Sequence, residues 1–224
     1  MANAPEAPAA QTGGLKRAIK RVVPKLARRK LRQIFGDRPV SAVTEGIAWH
    51  DASQFPFTKV LEDSWREIRR ELEVLEQKQF TNWPVDIYDG QWDVFGLYAL
   101  GKKVEENCEL CPVTTRALEQ VPRLSTAGFS ALTPGTHIKP HVGWTHTVLR
   151  CHLGLKIPAN CSLRVGDETR VWEEGKCFVF DDMFEHEAWN NGETVRIVLL
   201  MDFVKEGVEF DPTVSEGAAT VLPT

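Results

Sequence analysis

The sequence predicts a mainly β domain, an antiparallel jelly roll preceded by amphipathic helices. Two observations lead to this fold class. Apolar residues recur at helical spacing in the first half of the chain, whereas the period changes to two from Ser125 onward. Turn residues then separate segments of strand length, as in all-β domains. The predicted strands lie near 126–132, 136–141, 146–155, 161–165, 169–172, 176–181, 185–189 and 194–203.

Two segments before the strands have helical character. Residues 56–79 predict one amphipathic helix, because their apolar residues recur every three or four positions. A second, shorter helix is predicted over 114–120, just after Pro112. The apolar positions of the first helix are Leu61, Trp65, Ile68, Leu72 and Leu75.

Charge divides the 224-residue chain into a basic arm and an acidic domain. The net charge is −4, yet ten Lys or Arg residues lie within 1–40, against only Glu6 and Asp37 as acids. We therefore expect an arm over 1–40, one folded domain over 41–210 and a C-terminal tail over 211–224. Residues 15–35 suit contact with an anionic membrane surface, and a solvated tail is an equal alternative. Nucleic acid is the less favoured partner, and the oligomeric state stays open.

Composition also indicates a compartment. No run of 18 apolar residues occurs and the N-terminus has no apolar signal core, so we expect a cytoplasmic protein, soluble or peripheral to a membrane. Five cysteines are an odd set without the density of a disulfide framework. Cys108 and Cys111 form a C-x-x-C without a second pair, so a helix start with two thiols is favoured over a zinc or redox site.

The histidines are concentrated in the β half. Neutral imidazole suits iron, zinc and copper, so such a barrel is a suitable container for a first-row metal. In jelly-roll non-haem iron oxygenases one histidine ligand comes early and a second several strands later, and His141 and His186 fit these places. Positions on the metal then stay open for a co-substrate and oxygen. The histidines of this half are His137, His141, His146, His152 and His186.

Arg196 lies on the apolar last strand TVRIVLLMDF, ten residues after His186. A buried guanidinium needs an anionic partner, since an unpaired one is very costly. A carboxylate of 2-oxoglutarate would supply a bidentate partner. The alternative is a structural ion pair with a nearby Asp or Glu.

The segment TVLRCHLGL adds a second polar set. Strand alternation places Arg150, His152 and Gly154 on one face, with leucines and Cys151 on the other. The polar face is expected to line the pocket. Taken alone, His152 would also fit a hydrogen-bonded core histidine.

Several motifs together carry a family resemblance. From Ser130 to Asp202 the chain resembles the aspartyl/asparaginyl β-hydroxylase family, and the resemblance continues more weakly upstream through GQWDVFGLY (90–98). The motifs are PGTHIKPHVG (134–143), LRCHLGL (149–155), RVGDETRVWEEGK (164–176), FDDMFEHEAWN (180–190) and RIVLLMD (196–202).

The resemblance implies a cupin-like double-stranded β-helix and an iron(II)- and 2-oxoglutarate-dependent dioxygenase that hydroxylates its substrate with O₂. It implies that His141 and His186 ligate iron and that Arg196 pairs with the distal carboxylate of 2-oxoglutarate. Asp181 would support the loop of His186 or form a turn. Further co-substrate-binding residues implied by the family are Trp92, Ser130, Arg150 and His152.

Two departures from the family's wider pattern affect the substrate. The facial triad of related oxygenases has a carboxylate two residues after the first histidine, where this chain has Gly143. The family's eukaryotic peptidyl hydroxylases share this glycine, whereas its bacterial lipid A hydroxylases have an aspartate. The last strand also continues as MDFVKEGVEF, without a Trp-x-Pro-like segment. We expect a Gly143→Asp variant to regain a triad-like site.

Four functions are compatible with these residues. The first is hydroxylation of the β-carbon of an aspartyl or asparaginyl residue or a related amino acid, because iron bound by two neutral imidazoles favours an acidic substrate. The second is hydroxylation of a lipid acyl chain, which the basic arm supports. The third is halogenation, with chloride in place of the missing carboxylate. A non-catalytic cupin-like binding protein is the fourth, and retention of both histidines and Arg196 argues against it.

Overall fold

A computed structural model describes residues 42–75, 79–83, 85, 87–143 and 145–209 of the chain. The predicted arm over 1–40 and tail over 211–224 lie outside these residues, so both stay predictions. Within the described ranges, no helix is long and apolar enough to cross a membrane.

The predicted jelly roll is confirmed by two antiparallel sheets. The larger sheet has the strand order β1-β11-β8-β13-β6-β4-β2, with β5 beside β4, and the smaller has the order β10-β9-β12-β7-β3. The strands are β1 Trp49–His50, β2 Thr81–Asn82, β3 Tyr88–Asp89, β4 Trp92–Ala99, β5 Lys102–Lys103, β6 Leu124–Leu132, β7 Thr136–His141, β8 Val148–Lys156, β9 Cys161–Val165, β10 Glu168–Arg170, β11 Cys177–Phe180, β12 His186–Asn190 and β13 Arg196–Val204.

The strands predicted after Ser125 are confirmed to within two residues at each end, but the prediction missed the five that come earlier. Among these, β4 lies between β6 and β2 in the larger sheet. Nearly all of its residues are buried, so its sequence lacks the alternation that marks a strand with one exposed face. The cause is tertiary, since both faces of this strand are covered.

Helices cover the outer face of the larger sheet. Where one helix was predicted over 56–79, the structure has two, α1 (Pro56–Asp63) and α2 (Trp65–Val74), separated at Ser64. The break lets each half follow a different strand, α1 against β11 and α2 against β8. Residues 76–78 lie outside the described part. Two shorter helices follow, α3 (Glu105–Leu110) and α4 (Pro112–Leu118). Helix α4 confirms the helix expected over 114–120 to within two residues at each end.

Two hydrophobic cores follow from this layering. One fills the space between the helices and the larger sheet and includes Leu61, Ile68 and Phe129. The other lies between the two sheets and includes Leu163, Phe180 and other interior side chains. Burying each such side chain contributes on the order of 2 kcal/mol. The second core is the barrel interior, where the polar residues predicted for the pocket interrupt an otherwise apolar lining.

All five cysteines are buried, and none forms a disulfide. Cys108 lies within α3 and Cys111 between α3 and α4. Burial raises the pKa of the Cys111 thiol to about 12, which makes it a poor thiolate. The pair therefore packs as small apolar residues in the core beneath the helices, without the environment of a reactive C-x-x-C motif.

Candidate active site

The two predicted metal ligands lie side by side on adjacent strands of the smaller sheet. His141 ends β7, His186 begins β12, and the antiparallel register pairs them directly. Their ring centroids are 4.1 Å apart, with the ring planes tilted by 50°. Adjacent antiparallel strands thus bring together two imidazoles that are 45 residues apart in sequence.

The backbone orients each ring. The Nδ1 atom of His141 lies 2.7 Å from the carbonyl oxygen of Lys139, and that of His186 lies 3.0 Å from the carbonyl of Phe184. A carbonyl can only accept, so in both neutral rings Nδ1–H donates and Nε2 carries the lone pair. The buried Nε2 of His186 has no hydrogen-bond partner. This arrangement is typical of metal-ligating histidines.

Burial keeps both imidazoles neutral. It lowers the pKa of His141 to about 4 and that of His186 well below its ordinary value. Neutral imidazole is the form that binds a metal. Because they share the interior with cationic Arg150, protonation of these rings is disfavoured further.

Within the described residues, no group of three or more His, Cys, Asp or Glu side chains is arranged to hold a metal. Two nearby carboxylates have other partners: Glu185 pairs with Arg164 at 2.8 Å, and Asp181 pairs with Lys205 at 2.6 Å. Asp181 also accepts the backbone N–H of Met183, which is the turn role considered from the sequence. These two carboxylates are thus engaged elsewhere, whereas the buried Oδ1 of Asp182 has no partner among the described residues.

Arg196 is a buried cation without a carboxylate. Only 2% of its surface is exposed, and within the described part of the chain it forms no ion pair with an Asp or Glu. Its guanidinium lies 4.7 Å from the ring centroid of Trp172, and its Nε atom has no partner. Burial lowers its pKa to about 9. Among the residues described, the alternative of a structural ion pair thus finds no support, and an unpaired buried guanidinium of this kind is costly.

Two further predicted residues lie on the same interior surface. Ser130 lies opposite Val198 on the neighbouring strand, and its Oγ accepts a 3.0 Å hydrogen bond from the indole N–H of Trp92. Its carbonyl oxygen is 3.5 Å from Nη1 of Arg196. The structure thus brings Trp92, Ser130 and Arg196 together, as the family resemblance implied.

His152 also has an unused hydrogen-bonding atom. Its Nδ1 accepts a 3.3 Å hydrogen bond from the indole N–H of Trp172, so the ring proton is on Nε2. That Nε2–H is buried and has no partner. This N–H and the Nε–H of Arg196 are thus two buried hydrogen-bond donors of the barrel interior. Trp172, which contacts both residues, was not predicted, although it lies within one of the quoted motifs.

Arg150 has a different environment from Arg196. Its guanidinium makes two hydrogen bonds to Asp202, at 2.7 and 3.0 Å, and lies 3.1 Å from a carboxylate oxygen of Asp182. Burial opposes its charge, but the two carboxylates raise its pKa above the ordinary value. Its predicted contact with a co-substrate stays a prediction.

Asp182 and Asp202 were missed as site residues. Asp202 could have been found, because it follows Arg196 by an even number of positions on one strand and so shares its face. No comparable pattern marks Asp182, which lies in a loop between β11 and β12. Burial raises its pKa, against the opposing effect of Arg150.

Most of the chain, including the residues of this site, matches one known protein family. Residues 62–206 match the family model described as aspartyl/asparaginyl beta-hydroxylase. The chain belongs to this family. The match includes both histidines, Arg196 and every other residue predicted for the site, and it confirms the resemblance found in the motifs.

Named relatives differ in what they act on. The chain is 39% identical over 168 residues to an ornithine lipid ester-linked acyl 2-hydroxylase of Rhizobium tropici, covering 70% of this chain and 60% of that protein. It is also 39% identical over 154 residues to the human aspartyl/asparaginyl beta-hydroxylase, covering 64% of this chain and 20% of that one. The chain therefore spans less than two thirds of either relative's length.

A weaker likeness exists to a solved structure. A Pseudomonas putida prolyl-4-hydroxylase shares 15% identity at a TM-score of 0.42, covering 72% of this chain and 94% of that one.

The first prediction concerns metal binding. Iron(II) with 2-oxoglutarate should raise the melting temperature in a saturable way, because both bind only the folded state. At a hundredfold excess over the dissociation constant the gain is about 2.7 kcal/mol, or roughly 5 to 10 °C for a domain of this size. Differential scanning fluorimetry under anaerobic conditions measures it. A His141→Ala/His186→Ala variant that still bound iron tightly would contradict the assignment.

The second prediction concerns Arg196. An Arg196→Lys variant keeps the charge but loses the planar fork, so the 2-oxoglutarate concentration for half-saturation should rise about ten- to a hundredfold with little change in iron affinity. Calorimetric titration of the iron-loaded protein measures both. Arg164→Lys, on a surface ion pair, is the matched control. If both variants bound 2-oxoglutarate like the parent, the anchor would lie elsewhere.

The third prediction is a pH dependence of the metal-free protein. Because the pKa values of His141 and His186 are lowered, the folded state binds fewer protons than the unfolded state below pH 6.5. The free energy of unfolding should therefore decrease as the pH falls from about 6.5 toward 4. Urea unfolding at several pH values tests this. A His141→Gln/His186→Gln variant should have a flatter profile, and an identical profile would count against neutral buried imidazoles.

Proposed function

We propose that this chain is an iron(II)- and 2-oxoglutarate-dependent hydroxylase. The observation that carries the proposal is a set of buried polar atoms in the barrel interior that have no partner among the described residues: Nε2 of His186, Nε2 of His152 and Nε of Arg196, with Oδ1 of Asp182 beside them. Unpartnered buried polar groups are costly unless a ligand completes them. Nε2 of His186 carries a lone pair that suits a metal. The N–H groups of His152 and Arg196 are donors that suit an anion.

Each group has a defined task in this proposal. His141 and His186 would hold iron(II) through Nε2, and Arg196 would pair with the distal carboxylate of 2-oxoglutarate. Ser130, His152 and Trp92 lie where they can orient that co-substrate, with Arg150 as a further candidate. When bound, the iron supplies oxygen activation, so that 2-oxoglutarate, O₂ and a C–H substrate yield succinate, carbon dioxide and an alcohol. The chain supplies orientation and a water-poor interior.

The first candidate substrate is an aspartyl or asparaginyl side chain, or a related amino acid, hydroxylated at the β-carbon. The family's description and the human relative support it. So does the two-histidine site, because iron held by neutral ligands favours an anionic group nearby.

The second candidate is the acyl chain of a lipid. The Rhizobium tropici relative favours it, because the match covers 60% of that protein against 20% of the human one. Residues 15–35 add nine basic residues in the part of the chain expected to contact an anionic membrane surface. Under this candidate, the protein would act at a membrane surface without a spanning helix in its described part.

The fourth prediction separates the two candidates. The full chain, reconstituted anaerobically with iron(II) and 2-oxoglutarate, is exposed to O₂ with Asp- or Asn-containing peptides, free amino acids, or acyl lipids in anionic vesicles. One panel should raise succinate release at least tenfold above the substrate-free rate and yield a product heavier by one oxygen atom. The His141→Ala/His186→Ala variant is the inactive control. A chlorinated product, or no stimulation by any panel, would contradict hydroxylation of these substrates.

A further inference from the structure

Gly143 lies against a buried carboxylate. A Cβ atom added to this glycine would lie 2.5 Å from Cγ and Oδ2 of Asp182 and 2.6 Å from its Oδ1. Such distances are far inside van der Waals contact, so any side chain at position 143 collides with Asp182. The glycine has no left-handed φ angle, so the backbone conformation alone does not require it. Space, not backbone strain, requires a glycine here.

Asp182 is held firmly in that space. Its backbone carbonyl accepts a 2.6 Å hydrogen bond from the N–H of Gly143, and its side chain lies 3.1 Å from the guanidinium of Arg150. Arg150 is fixed in turn by two hydrogen bonds to Asp202. Asp182 is 1% exposed and Asp202 is 2% exposed. Asp182 is therefore enclosed and tied to Arg150 through Oδ2, while its Oδ1 has no partner among the described residues, so making room for a new side chain would disturb that ion pair.

We propose that Asp182, held by Arg150, is a positioning residue that excludes every side chain from position 143 and so limits the protein to two metal ligands. The residue acts through the space it fills. This inference rests on the proposed function for the identity of the metal, whereas the steric exclusion is a property of the metal-free chain.

The proposal revises one expectation from the sequence. A Gly143→Asp variant alone would not regain a triad-like site, because its Cβ would overlap the Asp182 carboxylate. Exchanging the two residues, as Gly143→Asp with Asp182→Gly, removes the collision and keeps the number of buried carboxylates unchanged. The exchange variant is therefore the one expected to present a third protein ligand.

Thermal unfolding of the metal-free full chain tests the collision. Gly143→Ala should lower the melting temperature by several degrees, and adding Asp182→Gly should cost less than it does in the parent, so the double-variant cycle is non-additive. Asp182→Asn keeps the shape without the charge, and in this background Gly143→Ala should cost as much as in the parent. An unchanged melting temperature for Gly143→Ala, or additive losses with Asp182→Gly, would overturn the proposal.

Cobalt(II) binding tests the consequence for the metal. The exchange variant should bind cobalt(II) about tenfold or more tightly than Gly143→Asp alone, because a carboxylate adds a charged ligand. Its visible absorption bands should also differ from those of the parent. If Gly143→Asp alone kept the parent's melting temperature and bound cobalt(II) more tightly, the proposal would fail. A parent protein that bound no cobalt(II) or iron(II) would instead refute the proposed function, and the unfolding cycle would still judge the collision.

Discussion

Burial of side chains in the space between the two sheets is the constraint on which the site depends. Charged groups lose hydration there, so imidazoles are neutral and guanidinium groups need anionic partners. Burial is the largest cause of the lowered pKa values of His141, His152 and Arg196. The same apolar walls that stabilise the jelly roll therefore also give its few polar side chains the character of ligand-binding groups.

The two buried arginines differ in how their charge is compensated. Arg150 is surrounded by two carboxylates, so its charge is compensated within the chain and it can fix the position of Asp182. Arg196 has an indole ring and a distant carbonyl instead. Two residues of one type, on neighbouring strands of one sheet, thus have different environments because of what the adjacent strands place beside them.

The backbone has a comparable influence on the histidine pair. The carbonyls of Lys139 and Phe184 each accept a hydrogen bond from the histidine ring two residues further along the chain. These local contacts place the ring proton on Nδ1 and the lone pair on Nε2. The register of β7 with β12 then brings the rings together. Local hydrogen bonds orient each imidazole, and long-range strand pairing makes a pair of them.

The sequence by itself determined the β half of the fold and the family, and it predicted His141, His186 and Arg196 as site residues, because alternation and motif spacing are local properties of the chain. The faces of β8 also followed from alternation, and the structure places Arg150 and His152 on the interior as expected. Only the tertiary structure decided that β4 is a strand, that the first helix breaks at Ser64, and that Arg150 faces Asp202 and Asp182. Each of these depends on which distant element packs against a residue, and one-dimensional periodicity carries no record of that partner. The requirement for glycine at position 143 likewise depends on the tertiary structure, because the Asp182 carboxylate from another loop fills the space that a side chain would need.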